Sequence, residues 1–167
     1  MSSKIYPIGI QNFEKIRKDG YFYIDKTALI YKLVKTGSYY FLSRPRRFGK
    51  SLLLSTLEAY FSGKKDLFNG LAMETLEKEW AVYPVLHIDF SVSKYMTAEA
   101  LSAVINYQLL QWEKLYGREE GETTFSLRLK GIIQRAYTQT GKPVVILVDE
   151  YLSLIHISEP TRHAQIS

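Results

Sequence analysis

The sequence predicts an α/β domain of three layers with a mainly parallel sheet. Short apolar runs alternate with longer segments that have helical spacing. One run, residues 144–148 (VVILV), is apolar throughout and rich in β-branched residues, which is typical of a strand buried on both faces. Strands that alternate with helices form a parallel sheet covered by helices. The 167 residues provide room for one domain of ordinary size.

The first half of the chain is predicted to place a strand between two helices. The first helix opens at residues 25–27 (DKT) and continues to about Lys35. Residues 39–43 (YYFLS) are short, aromatic and apolar, which suits a buried strand. A loop at residues 44–49 then leads into residues 50–61 (KSLLLSTLEAYF), which have the apolar spacing of a helix. Strand, loop and helix therefore follow one another without a gap.

The second half is predicted to alternate helices and strands. In chain order the elements are a helix at 71–80, a strand at 84–90, helices at 97–116 and 125–138, and a strand at 144–148. Thr97 is a typical N-cap residue for the helix that it begins. Glu77 is expected on the solvated face of the helix at 71–80.

Composition excludes several classes of protein. The chain has no cysteine, so neither a disulfide framework nor a thiolate metal site is possible. No apolar leader follows the N-terminus, and no run is long enough to span a bilayer. A cytoplasmic protein with no membrane partner is therefore expected. The net charge of +5 permits contact with DNA, although basic residues spread over solvated faces are the simpler interpretation.

The first motif that carries chemistry is RPRRFGKS, which follows the strand predicted at 39–43. It keeps the spacing of the phosphate-loop pattern G-x-x-x-x-G-K-[ST], except that Arg44 replaces the first glycine. Backbone N–H groups and the start of a helix can bind phosphate. Lys50 is expected to reach the β- and γ-phosphates and the Ser51 hydroxyl to bind magnesium. The predicted nucleotide-binding residues are Arg44, Pro45, Arg46, Arg47, Phe48, Gly49, Lys50 and Ser51.

The second motif is VVILVDE, in which Asp149 and Glu150 follow the apolar run. The carboxyl end of a buried parallel strand lies at the rim of the sheet, where open α/β folds bind ligands. Asp149 is expected to hold the magnesium ion through its hydration shell. Glu150 is expected to polarise the water that attacks the γ-phosphate, with Lys50 as the second catalytic residue. Such a run followed by Asp-Glu arises by chance in roughly a few chains per thousand, so the two motifs together predict an ATPase.

Residues 6–151 resemble the AAA-ATPase-like family of bacteria. The resemblance is carried by YPIGIQNFEKIRKDGYFYIDKT near the start, FLSRPRRFGKSLLLSTL around the loop and VVILVDEY at the end. That family also has arginine in place of the first glycine of the loop. The resemblance implies an AAA-like P-loop fold, ATP and Mg²⁺ as cofactors, and a C-terminal domain similar to restriction-type nucleases. Nothing in this chain corresponds to that second domain.

The end of the chain differs in character from the rest. Residues 152–163 (LSLIHISEPTRH) look like the translation of a sequencing-library adapter; a genuine short strand at 154–157 is the alternative. The expectation is an N-terminal fragment of the ATPase domain at 1–151 and a non-native tail at 152–167. Such a fragment lacks a later central strand, is incomplete at its C-terminus and need not be active by itself.

The leading hypothesis is an ATP-binding and ATP-hydrolysing domain that controls an attached effector. An ATP-dependent switch without hydrolysis and a DNA-binding module are the alternatives, and the oligomeric state is left open. Tyr23, Asp25 and Lys26 belong to the family's N-terminal signature, and both adenine contact and helix capping account for them. His87 and Asp89 alternate along one predicted strand, where a hydrogen-bonded structural role is favoured over catalysis.

Overall fold

Within the described part of the chain, two parallel strands, β1 (Val85–Asp89) and β2 (Val145–Asp149), form the sheet on which the site is built. They pair in register, so that Asp89 lies opposite Asp149 at the carboxyl end of both strands. The computed structural model describes residues 3–37, 49–89 and 97–149. The strand predicted at 39–43 lies outside the described residues.

Helices account for most of the remaining described residues. They are α1 (Phe13–Lys18), α2 (Thr27–Thr36), α3 (Lys50–Phe61), a 3₁₀ helix (Lys65–Phe68), α4 (Ala72–Leu76), α5 (Ala98–Tyr116) and α6 (Phe125–Thr140). None of these described helices is both long and apolar enough to cross a membrane.

One face of the sheet packs against α3. Leu54 and Leu57 of α3 are almost fully buried, with 0% and 2% of their surface exposed. They belong to the same core cluster as Leu147 of β2, and Val85 and Val145 pack against this cluster. Because side chains alternate along a strand, residues 85, 87 and 89 of β1 share this face with residues 145, 147 and 149 of β2.

The opposite face of the sheet packs against α5 and α6. Leu86 of β1 forms a buried cluster with Leu109 of α5 and Ile132 of α6. Ile88 and Val148 form a second cluster with a further residue of α5. Helices therefore cover both faces of this small parallel sheet, which makes the fold α/β.

A buried ion pair fixes α5 against α6. Arg128 donates two hydrogen bonds to the carboxylate of Glu113, at 2.7 and 2.8 Å, and a third to the side-chain oxygen of Asn106 at 2.6 Å. Arg128 and Glu113 are each 8% exposed. A bidentate pair of this kind is directional as well as strong. It therefore sets how the two helices that connect β1 to β2 lie together.

Most of the predicted elements are confirmed. The helix predicted at 50–61 has those bounds in the structure, and the Thr97 side chain accepts a hydrogen bond from the amide of Ala100 as an N-cap. The helix at 125–138 runs two residues further than predicted, to Thr140. These segments have strong helical periodicity together with a recognisable start or stop residue, and such local signals are seldom overridden.

The helix predicted at 71–80 is wrong in length, because α4 ends at Leu76. Glu77, expected in solvent, is only 6% exposed. Its carboxylate accepts hydrogen bonds from the Tyr60 hydroxyl and from the amides of Lys78 and Glu79, both at 3.1 Å. These interactions turn the chain into extended backbone at Glu77, so tertiary contacts override the local helical pattern.

The Glu77 carboxylate carries a charge in this buried position. Lys35 forms an ion pair with it at 3.1 Å. Burial alone would raise the pKa of Glu77, but the hydrogen bonds from Tyr60 and the Glu79 amide, together with Lys35, lower it below its ordinary value overall. Glu77 therefore links α2, α3 and the segment after α4.

Replacing Glu77 by alanine should destabilise the fold by about 2–3 kcal/mol, because the substitution leaves the Tyr60 hydroxyl and two amides without their acceptor. Urea unfolding at neutral pH measures the effect. Glu79→Ala is the matched control: Glu79 is exposed, and its substitution should change stability by less than about 0.5 kcal/mol. Equal stability of the two variants would contradict this account of Glu77.

Candidate functional site

The candidate site begins where α3 begins. Gly49 precedes the helix with φ +84°, a left-handed conformation that glycine adopts readily and other residues rarely do. Gly49 has no side chain with which to cap the helix, so the first amides of α3 are not capped from that position. A helix N-terminus of this kind favours an anion.

Lys50 is the first residue of α3, and only 7% of its surface is exposed. Lysine is seldom buried to this extent unless it is paired. A lysine at a helix N-terminus, where the first backbone amides also carry positive charge, is chemically suited to an anionic ligand.

Ser51, the next residue, joins the two sequence motifs. Its hydroxyl donates a hydrogen bond of 2.9 Å to Oδ2 of Asp149, although the two residues are 98 positions apart in the sequence. Asp149 is the last residue of β2 and is 3% exposed. The start of α3 and the carboxyl end of β2 therefore meet at one point.

The other predicted site residues lie outside the described residues: Arg44, Pro45, Arg46, Arg47, Phe48 and Glu150. The structure thus brings together Lys50, Ser51 and Asp149, with Gly49 shaping the turn. The chemical roles of all these residues stay predictions.

A metal ion held by the described residues would have few protein ligands. Among the described residues, no group of three or more His, Asp or Glu side chains could enclose an ion. Magnesium usually binds through one or two carboxylates together with water and substrate phosphates. The hydroxyl of Ser51 and the carboxylate of Asp149, 2.9 Å apart, fit that kind of donor set.

A second polar contact joins α3 to the sheet. Nδ1 of His87 in β1 lies 2.9 Å from Oε2 of Glu58 in α3, which agrees with the hydrogen-bonded role expected for His87. Sequence reasoning missed Glu58. The available signal was its position seven residues after Ser51, since residues seven apart lie on one face of a helix.

The His87–Glu58 contact changes how both groups titrate. Burial lowers the pKa of His87, but the hydrogen bond and charge of Glu58, with the charges of Asp89 and Asp149, raise it overall above its ordinary value. The hydrogen bond from His87 lowers the pKa of Glu58 despite partial burial. The contact therefore favours a protonated imidazole beside a carboxylate.

The N-terminal signature residues have structural contacts. Asp25 accepts hydrogen bonds from the amide and hydroxyl of Thr27 at 2.9 and 2.6 Å, at the start of α2. Its second oxygen accepts from the amide of Ala72 at 2.7 Å. The Tyr23 ring packs against Phe13 at 5.2 Å between ring centroids. The N-cap residue of α2 is Lys26, which has no side-chain cap hydrogen bond. Asp25 instead holds the first residue of the helix from the position before the cap, which favours a structural role for Asp25.

The site is thus a helix start with a Gly-Lys-Ser sequence that faces an aspartate at the end of a parallel strand, in an α/β protein. A family model described as "Predicted AAA-ATPase" (AAA-ATPase-like) matches residues 7–164. The chain belongs to this AAA-ATPase-like family, so the resemblance seen in its motifs is confirmed. Membership supports ATP binding and implies the use of magnesium.

A similar protein adds no information on function, because its own name states none. The chain is 42% identical over 153 residues to an "Uncharacterized protein in vnfD 5'region" of Azotobacter chroococcum mcd 1. The matched region covers 90% of this chain and 30% of that relative, so the chain spans less than a third of the relative's length. No solved structure matches the chain.

Glu58→Gln should lower the pKa of His87, which NMR titration of the assigned His87 ring measures. A raised pKa in the folded state means that His87 stabilises the fold below its ordinary pKa of 6.5 and loses this effect as pH rises. Glu58 stabilises the fold above its ordinary pKa of 4.5 and loses this effect as pH falls. The free energy of unfolding that Glu58→Gln removes should therefore be greatest between pH 4.5 and pH 6.5 and smaller at about pH 9.

Glu120→Gln provides the control, because Glu120 lies exposed in the loop between α5 and α6. Its substitution should leave the titration of His87 unchanged. An unaltered His87 pKa in Glu58→Gln would show that the contact does not govern the titration.

Proposed function

We propose that the protein binds and hydrolyses ATP at the site formed by the start of α3 and the end of β2. The observation that carries the proposal is the hydrogen bond of 2.9 Å between Ser51 and Asp149. It joins the two residues that the motifs assign to magnesium. The proposal includes a three-layer P-loop architecture, which is supported by helices on both faces of the parallel sheet.

Each described residue has one task in the proposed reaction. The amides at the start of α3 and the ammonium of Lys50 bind the β- and γ-phosphates. The Ser51 hydroxyl and the Asp149 carboxylate hold magnesium, directly and through its water shell. Bound magnesium neutralises charge that develops on the phosphates. Support comes from the buried positions of Lys50 and Asp149, where electrostatic interactions are stronger than in water.

The residues outside the described ranges complete the proposed site. Residues 44 and 46–48 supply further backbone N–H groups around the phosphates, whereas Pro45 has none. Glu150 accepts a proton from the attacking water. Glu150 directly follows Asp149, the last residue of β2, in the sequence.

In the proposed full-length protein, nucleotide turnover controls an attached effector of nuclease-like type. The relative supports a further domain, since 153 matched residues make up only 30% of its length. The family resemblance supports its nuclease-like character.

Lys50→Ala should weaken ATP binding by about 10- to 100-fold, because it removes a charged hydrogen-bond donor from the phosphates. Fluorescence titration of the full-length protein with a labelled ATP measures the loss. Lys130→Ala is the matched control. It removes an exposed lysine of α6, so the net charge changes by the same amount as in Lys50→Ala, and the affinity for ATP should stay normal. Equal affinities in the two variants would overturn the proposed phosphate site.

Glu150→Gln should keep ATP binding and reduce phosphate release by about 100-fold or more, since it removes a general base. Phosphate release in single-turnover conditions separates an ATPase from a switch that binds ATP without hydrolysis. If the unmutated full-length protein binds ATP but releases no phosphate, the switch is the better description.

A further inference from the structure

Asp89 lies beside Asp149, and the pairing of the strands fixes this arrangement. The two residues are register partners at the last position of β1 and β2. Neighbouring strands lie about 4.8 Å apart, and partners in register point to the same face of a sheet. The two aspartates are therefore adjacent at the carboxyl edge of the sheet.

Independent contacts identify that face as the one covered by α3. His87, two residues before Asp89, reaches Glu58 of α3. Asp149 accepts the hydrogen bond from Ser51 at the start of α3. Since side chains at 87 and 89 lie on the same face of β1, Asp89 belongs to the same end of the same face as Ser51 and Lys50.

Two adjacent carboxylates repel each other unless a cation or a proton lies near them. Lys50, 7% exposed at the start of α3, supplies positive charge at this end of the sheet. A lysine and a serine at a helix start that face two aspartates at the strand ends are suited to an ion and an anion together, as in a complex of magnesium with phosphates.

We propose that Asp89 is a second carboxylate on the magnesium side of this site, which accepts hydrogen bonds from metal-bound water. This inference rests on the proposed nucleotide site. Asp89 positions the hydrated ion next to Asp149, and it does so through water rather than by direct coordination. The main-chain oxygen of Asp89 accepts a hydrogen bond of 3.5 Å from Gln108 of α5; that contact anchors the strand end from the opposite face.

The test measures how magnesium promotes the binding of a fluorescent ATP analogue to the full-length protein. In Asp89→Asn, the magnesium concentration that gives half of the increase in analogue binding should rise by about 10- to 100-fold. This is the usual loss of metal affinity when a residue that hydrogen-bonds to a metal ligand is removed. Binding of the analogue in the presence of a chelator should be unchanged. Asp89→Glu, which keeps the carboxylate, should restore much of the magnesium response.

Asp66→Asn is the matched control, because Asp66 is exposed in the 3₁₀ helix and loses the same charge. Its magnesium dependence should equal that of the unmutated protein. Identical magnesium dependence in Asp89→Asn and Asp66→Asn would overturn the role of Asp89. If that occurs while Lys50→Ala still loses binding, the inference fails and the nucleotide site stands.

Discussion

The hydrogen bond between Ser51 and Asp149 is the contact on which the arrangement of the site depends. It joins the first turn of α3 to the last residue of β2, so the position of the helix along the sheet is set at the end where ligands of α/β folds bind. The contact between Glu58 and His87 attaches the same helix to β1 further along its length. Two polar contacts at different positions fix both the axial position and the rotation of α3, which apolar packing alone leaves less specific.

This arrangement is costly for stability. Lys50 and Asp149 are 7% and 3% exposed, and taking charged groups out of water is expensive even when they are paired. Apolar residues of similar size would pack at least as well in a structural role. Proteins retain buried charge at a strand end and a helix start where a ligand needs it, and the cost is met by the core. Here that core includes Leu54, Leu57 and Leu147 on the same face.

Sequence reasoning succeeds where the signal is local. The bounds of α3 follow from the apolar spacing of residues 50–61, and α5 begins after the Thr97 cap because that hydrogen bond needs only neighbouring residues. Reasoning fails at residues 71–80, since Glu77 is buried by Tyr60 and Lys35, which are distant in the sequence. No local pattern of a helix contains that information.

The same distinction applies to the site. The motifs identify Lys50, Ser51 and Asp149 from their spacing and their sequence neighbours. The position of Asp89 depends instead on how β1 pairs with β2. The alternation of apolar and polar residues along β1 does not reveal this pairing. Slipping β1 by a single residue would move His87 and Asp89 to the face covered by α5. The contact of His87 with Glu58 is available only in the observed register. Glu58 and Ser51 lie on one face of α3, where they contact His87 and Asp149. The strand pairing that allows the contact between His87 and Glu58 therefore also places Asp89 beside Asp149.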